Sequence, residues 1–209
     1  MQLAGPRHPL SITEALARVA QASARVAILV EGWSDEAAVE AAAQVCGVAL
    51  AEHGVCVLPM GGITNLGKFA EALAASGLGV RLAGLYDASE EALVWRSLAR
   101  LGRVEVRSRA AAEAAGFFAC ERDLEDELIR AVGPEAVERL VAAQDELAAF
   151  RRFQAQPEHR VRELHGQLKR FMGTRAGRKI RYGALLAAAL APEALPQALR
   201  QLLAAAVAR

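Results

Sequence analysis

Aromatic residues make up only 5% of this 209-residue chain, although hydrophobic residues make up 54%. The core must therefore be assembled mainly from Ala, Leu and Val, and the alanine excess favours helices. A chain of this length can bury such a core in one main domain with an extension. Cysteine is scarce too: Cys46, Cys56 and Cys120 are odd in number and lack C-x-x-C spacing, which argues against a disulfide framework and a zinc site. His8, His53, His159 and His165 are scattered, with no metal-ligand spacing. No uncharged apolar run approaches the roughly 18 residues that span a bilayer, and "MQLAGPRHPLSITEALARVA" lacks a basic start followed by an apolar stretch. The expectation is no membrane and a cytoplasmic location.

Lysine is as scarce as cysteine: only Lys68, Lys169 and Lys179 interrupt an otherwise arginine-based positive charge. The net charge of +1 conceals an asymmetry. Residues 1–146 carry 13 Lys+Arg against 21 Asp+Glu, a net −8, whereas residues 147–209 carry 12 against 3, a net +9. A polyanion held by one part with metals held by the other fits this pattern, and so does simple attraction between the halves.

The front half alternates short apolar runs with helical patterns. "RVAILV" (25–30), "GVCVLPM" (54–60), "VRLAGLY" (80–86) and "GFFAC" (116–120) read as strands. The segments between the first, second and third runs, and the one following the third, open with good N-caps and end in glycine, as helices do. That order implies an α/β fold, a parallel four-stranded sheet with helices on both faces. Residues 123–152 read as helical, and so do the segments after them, with breaks near Pro157, Gly173 and Pro192. The division expected is an N-terminal helical segment (1–23), the α/β domain (24–130) and a basic, all-helical extension (131–209).

Ligands of parallel sheets sit beyond the carboxyl ends of the strands. Three of the four strands end there in acid. Glu31 follows the first, with Asp35 one helical turn on; Asp87 closes the third, followed by Glu90 and Glu91; Glu121, Asp123, Glu125 and Asp126 follow the fourth. Crowded carboxylates repel unless cations neutralise them, and Mg²⁺ favours oxygen ligands together with substrate phosphates. Asp35 and Glu36 also suit a helix dipole, and Glu125 a solvated helix face. Neither alternative accounts for the coincidence at three strand ends.

Two other motifs carry positive or phosphate-binding character. "GITNLGK" fits G-x-x-x-x-G-K, but Phe69 stands where a Ser or Thr would hold Mg²⁺, so Gly61 and Gly62 read as a tight loop beside the acidic edge. Lys179 lies among Arg175, Arg178 and Arg181, a cluster suited to phosphate or to charge developing during phosphoryl transfer, and equally to an exposed helix start. Ser34 and Ser89 have no histidine nearby to activate them as nucleophiles.

"ILVEGWSD", "VLPMGGITN" and "LAGLYDAS" together resemble a Toprim domain, the α/β module of topoisomerases, bacterial primases and several nucleases. "DLEDELIRAVG" and "GTRAGRKIRYGALLAAAL" make the chain similar, more narrowly, to the nuclease part of the overcoming-lysogenization-defect (OLD) family of ATP-dependent endonucleases. The resemblance implies a nuclease for DNA or RNA that uses Mg²⁺ or Mn²⁺. Matched residue by residue, Glu31 and Asp35 form the first acidic motif, Asp87 begins the second, Glu125 is the acid of the D-L-E segment with Asp123 beside it, and Lys179 is the assisting lysine. Two ions would divide water activation and leaving-group stabilisation between them.

Two departures qualify that expectation. Toprim domains usually carry Asp-x-Asp after the third strand, whereas Ser89 stands at the second position here, with Glu90 or Glu91 the available substitutes. The family's N-terminal ATPase has no room within 209 residues, so either an ATPase partner is a separate chain or the protein works without one, and a homodimer is compatible with the sequence. The alternative function is a degenerate Toprim module that binds nucleic acid or a partner ATPase without cleavage. A receiver domain is disfavoured because Glu31 is followed by glycine and Lys179 lies in the helical tail.

Overall fold

Four short runs of apolar residues line up as one sheet. The computed structural model describes residues 8–102 and 106–208, so the first seven residues of the expected N-terminal segment, and Arg209, lie outside the described residues. Strands β1 (Val26–Val30), β2 (Val55–Pro59), β3 (Arg81–Asp87) and β4 (Phe117–Cys120) are all parallel, in the order β2-β1-β3-β4. These are the four runs read as strands. Every residue of β1 is buried, as a central parallel strand covered on both faces requires.

Side-chain alternation then divides the core in two. Val26, Ile28 and Val30 face one apolar layer, whereas Ala27 and Leu29 face the other. In chain order the helices are α1 (Ile12–Gln21), α2 (Trp33–Val45), α3 (Leu66–Ala75), α4 (Glu91–Arg100), α5 (Arg109–Ala114), α6 (Leu124–Val132), α7 (Pro134–Ala143), α8 (Leu147–Gln154), α9 (Pro157–Arg160), α10 (Leu164–Met172), α11 (Ala176–Ala188) and α12 (Gln197–Val207). Helices α1, α3, α4 and α5 supply Val19, Phe69, Leu98 and Ala112 to the layer under Leu29. Helix α2 and most helices from α6 onward cover the opposite face.

The sequence pattern did not show α5, whose six residues, capped by the Ser108 side chain, are too few for a helical period. The single helical stretch read over 123–152 is three helices. Gly133 takes φ 86° immediately before Pro134, and Asp145 takes φ 57° between α7 and α8. The basic tail is not a body apart: Phe150, Leu168, Tyr182 and Leu199 share one buried cluster with Ile28 and Val57. Among the described residues no helix is long and apolar enough to cross a membrane.

This winding creates the crevice for a site. The chain leaves β1 toward the face covered by α2 and leaves β3, the neighbouring strand, toward the face covered by α4. Connections that diverge from adjacent parallel strands leave a gap at their carboxyl ends.

Candidate functional site

That gap opens into a cavity of about 290 Å³, lined by Glu31 after β1, Asp35 on α2, Asp87 at the end of β3, and Asp123 and Glu125 at the start of α6. Two lysines from the tail, Lys169 on α10 and Lys179 on α11, complete its charged wall. Six residues proposed from sequence, Glu31, Asp35, Asp87, Asp123, Glu125 and Lys179, thus meet in one place.

Local structure aims each of them. Gly62 N–H donates to the Glu31 carbonyl at 3.0 Å, pinning the loop after β2 beside the end of β1. Asp35 Oδ2 accepts from Gly32 N–H at 2.9 Å, so this acid both caps α2 and faces the cavity. Asp123 caps α6 through Oδ1, which accepts from Asp126 N–H at 2.8 Å, while Lys169 donates to its Oδ2. Lys179 is carried in by a close crossing of α11 on α2: a Cβ on Gly183 would lie 2.5 Å from the Ser34 carbonyl oxygen. Only glycine allows that approach.

The cavity is electrostatically unsatisfied. Burial raises the Asp87 pKa to about 7, with repulsion from Asp123, Glu31 and Asp35 adding to it. Burial likewise raises Glu125 to about 7 and Asp35 to about 6, despite the lowering influence of Lys179 on both and of the Gly32 N–H on Asp35. Burial works to lower the Lys179 pKa, but Glu125 and the other acids outweigh it and hold it above the usual lysine value. Lys179 Nζ stands 3.8 Å from Glu125 Oε2, and Glu125 Oε1 is buried without a hydrogen-bond partner. Among the described residues the acids ring the cavity; no three acids, imidazoles or thiols close on a single point suited to one metal ion. Their chemistry nonetheless fits a hard divalent cation, since it is all carboxylate oxygen, one atom is orphaned, and three groups resist ionisation for want of positive charge.

Other sequence-based candidates fall elsewhere. Glu90, offered as a substitute ligand, is half-buried in the short 3-10 turn after β3 and does not line the cavity. Glu91 is held by Arg109 at 2.7 Å. Arg178 and Arg181, read as phosphate-binding, turn instead to Glu146. Arg178 is buried, donates to Glu146 Oε1 at 3.0 and 2.9 Å, and lies over the Phe171 ring. Arg181 donates to Glu146 Oε2. Spacing of 3.6 residues per turn puts Arg178 about 100° and Arg181 about 200° from Lys179 around α11, on the side where Glu146 engages both. Arg175 is exposed at the start of α11. Gly61, at φ 72°, accommodates Pro9, whose Cβ would lie 2.7 Å from an added side chain; the cavity receives Ile63 from this loop and neither glycine.

Lys169 was overlooked. The only signal for it in the sequence was that the chain has so few lysines.

Residues 24–88 match the TOPRIM domain family of overcoming lysogenization defect protein-like proteins. The chain carries a Toprim domain resembling that of the OLD family. The C-terminal region of the Xanthomonas campestris pv. campestris OLD protein is similar in structure, with TM-score 0.64 and 25% identity over 88% of this chain and 95% of that one. The C-terminal region of the Burkholderia pseudomallei OLD protein has the same fold, with TM-score 0.62 and 22% identity over 88% and 97% of the two chains. No curated protein matches the chain. The Toprim match ends at Asp87 and Ala88, so it includes Glu31, Asp35 and Asp87 but neither Glu125 nor the two lysines.

Proposed function

We propose that this chain is a nuclease that hydrolyses phosphodiester bonds of DNA or RNA with Mg²⁺ or Mn²⁺. The observation that carries the reading is the convergence of Glu31, Asp35, Asp87 and Glu125, from three separate strand ends, on one cavity that also receives Lys179. These four acids would hold the ion, and Asp123 would add charge beside them. When bound, the ion supplies charge neutralisation, polarises a phosphoryl oxygen and acidifies water.

The protein's own groups supply the remainder. The Gly32 N–H keeps Asp35 aimed at the cavity through its 2.9 Å bond. Glu31 is exposed at the rim, where it orients the attacking water and accepts its proton. Lys179 holds an ammonium opposite Glu125, placed to stabilise charge that grows on the phosphate oxygens. On the same reading the partners are nucleic acid and an ATPase of the kind the family carries; self-association as a homodimer and a cytoplasmic location go with it. The test is nicking of supercoiled plasmid with Mn²⁺: activity lost in Glu31→Ala and Asp87→Ala supports the nuclease, and nicking that survives both refutes it.

One observation favours a second reading, a Toprim module that binds without cutting. After Asp87 no further acid of that turn enters the cavity, because Ser89 is exposed, Glu90 lies outside the lining and Glu91 is taken by Arg109. Binding of DNA by the wild-type chain with no nicking in Mn²⁺ would select this reading.

A further inference from the structure

Two of the chain's three lysines line the same cavity, in a protein that uses arginine nearly everywhere else. A compact ammonium meets a single phosphate oxygen as a point charge, whereas guanidinium is suited to planar, two-point pairing. We infer that Lys169 is a second substrate-facing ammonium, holding a phosphate oxygen of the nucleic-acid backbone from the α10 side of the cavity while Lys179 works from α11. The inference rests on the nucleic-acid substrate of the proposed function, though not on cleavage.

Three features separate Lys169 from an ordinary ion pair. Its side chain is 32% exposed and paired with Asp123, which is equally exposed, and a pair in that setting stabilises a fold little. The neighbouring Asp126, whose side chain is only 2% exposed, does not depend on it. Asp126 already binds Arg130 through Oδ2 and His165 Nε2 at 2.9 Å through Oδ1, and Lys169 Nζ is farther away at 3.7 Å. His165 and Lys169 are four residues apart on α10 and so share a face, which makes buried Asp126 a fixed anchor that positions the helix and leaves the ammonium at the cavity wall.

The third feature is charge. Fully ionised, the five acids and two lysines of the lining sum to −3, which repels a phosphodiester. One divalent ion would bring the lining to −1 with both lysines present and to −2 without Lys169; a second ion would bring it to +1 or to neutrality. At either loading the second lysine shifts the cavity by one charge toward accepting the backbone.

The experiment measures binding of a fluorescent DNA oligonucleotide over a range of salt concentrations in Ca²⁺, alongside Mn²⁺ titration calorimetry and thermal unfolding. Lys169→Gln should weaken DNA binding roughly tenfold at low salt and flatten the slope of log K against log salt by about one. Lys169→Arg should restore part of the affinity, while melting temperature and Mn²⁺ affinity hold or rise in both variants. Unchanged affinity and slope in Lys169→Gln would overturn the inference, as would loss of Mn²⁺ binding or of the fold in parallel with DNA binding. Wild-type protein that binds the DNA or an RNA oligonucleotide of the same sequence without cutting it in Mn²⁺ refutes the nuclease while the comparison of variants still decides Lys169; wild-type protein that binds neither DNA nor RNA refutes both.

Discussion

Neighbouring residues of α11 serve two carboxylate clusters of opposite character. Around Glu146, both oxygens are filled: Oε1 accepts twice from Arg178, and Oε2 accepts from Arg181 and, at 3.0 Å, from Tyr182. Burial would raise the Glu146 pKa, but these donors outweigh it and hold it below the usual value. One residue along, Lys179 faces acids whose pKa values burial raises to about 6 or 7, one of them with an oxygen that has no partner. A charge-compensated network, in which Arg181 Nε alone lacks a partner, fastens α7 and α8 to α11. An unsatisfied one, held open by the same rigid helices, is suited to receiving a cation.

The contrast can be broken from either side, and the largest effect is expected in the cavity. Asp87→Ala or Glu31→Ala should reduce metal-dependent nicking by at least about 10²–10³-fold, the scale seen when transition-state charge loses a stabilising group. Thermal melting of the metal-free variants should stay level or rise, since a repelling acid has gone. Glu146→Ala should do the reverse. It strands the buried guanidinium of Arg178, should cost about 3 kcal/mol, and would appear as a large fall in the denaturant midpoint.

Gly183→Ala comes next, because a methyl 2.5 Å from the Ser34 carbonyl oxygen must push α11 off α2. Overpacking of this kind costs about 1–3 kcal/mol. It should also lower kcat by displacing Lys179, and the two effects are read by unfolding and by nicking rate.

The smallest effect is a change in pH dependence. Asp35, Asp87 and Glu125 bind protons more tightly folded than unfolded, so their contribution to stability is complete below about pH 4 and is lost as pH rises through about 6 to 7. The melting temperature of the metal-free protein should therefore fall across that window. Glu125→Gln should make the fall shallower, and Mn²⁺ should restore melting temperature to the wild type above it. A flat profile in the wild type would remove the electrostatic distinction between the two clusters.

Much of this was legible along the chain because it depends on local order. Short apolar runs bounded by glycine and charged residues marked all four strands, and the acids Glu31, Asp35, Asp87 and Glu125 stood out simply as residues that follow strands. The candidates that lie away from the cavity share a cause. Glu91, Arg178 and Arg181 lie close in sequence to residues that reach the cavity, and which side of a turn or helix each occupies is settled by partners far along the chain. Lys169 had no local mark at all.

The sequence by itself determined the parallel sheet and the acidic edge, since short apolar runs and the residues at their ends are short-range properties. Tertiary structure decided which charges are spent on folding and which remain for a ligand. Glu146 lies 32 residues from Arg178, and Asp123 lies 46 from Lys169. Whether such charges meet depends on how the helices pack over the sheet, as with the crossing of α11 on α2 that Gly183 permits.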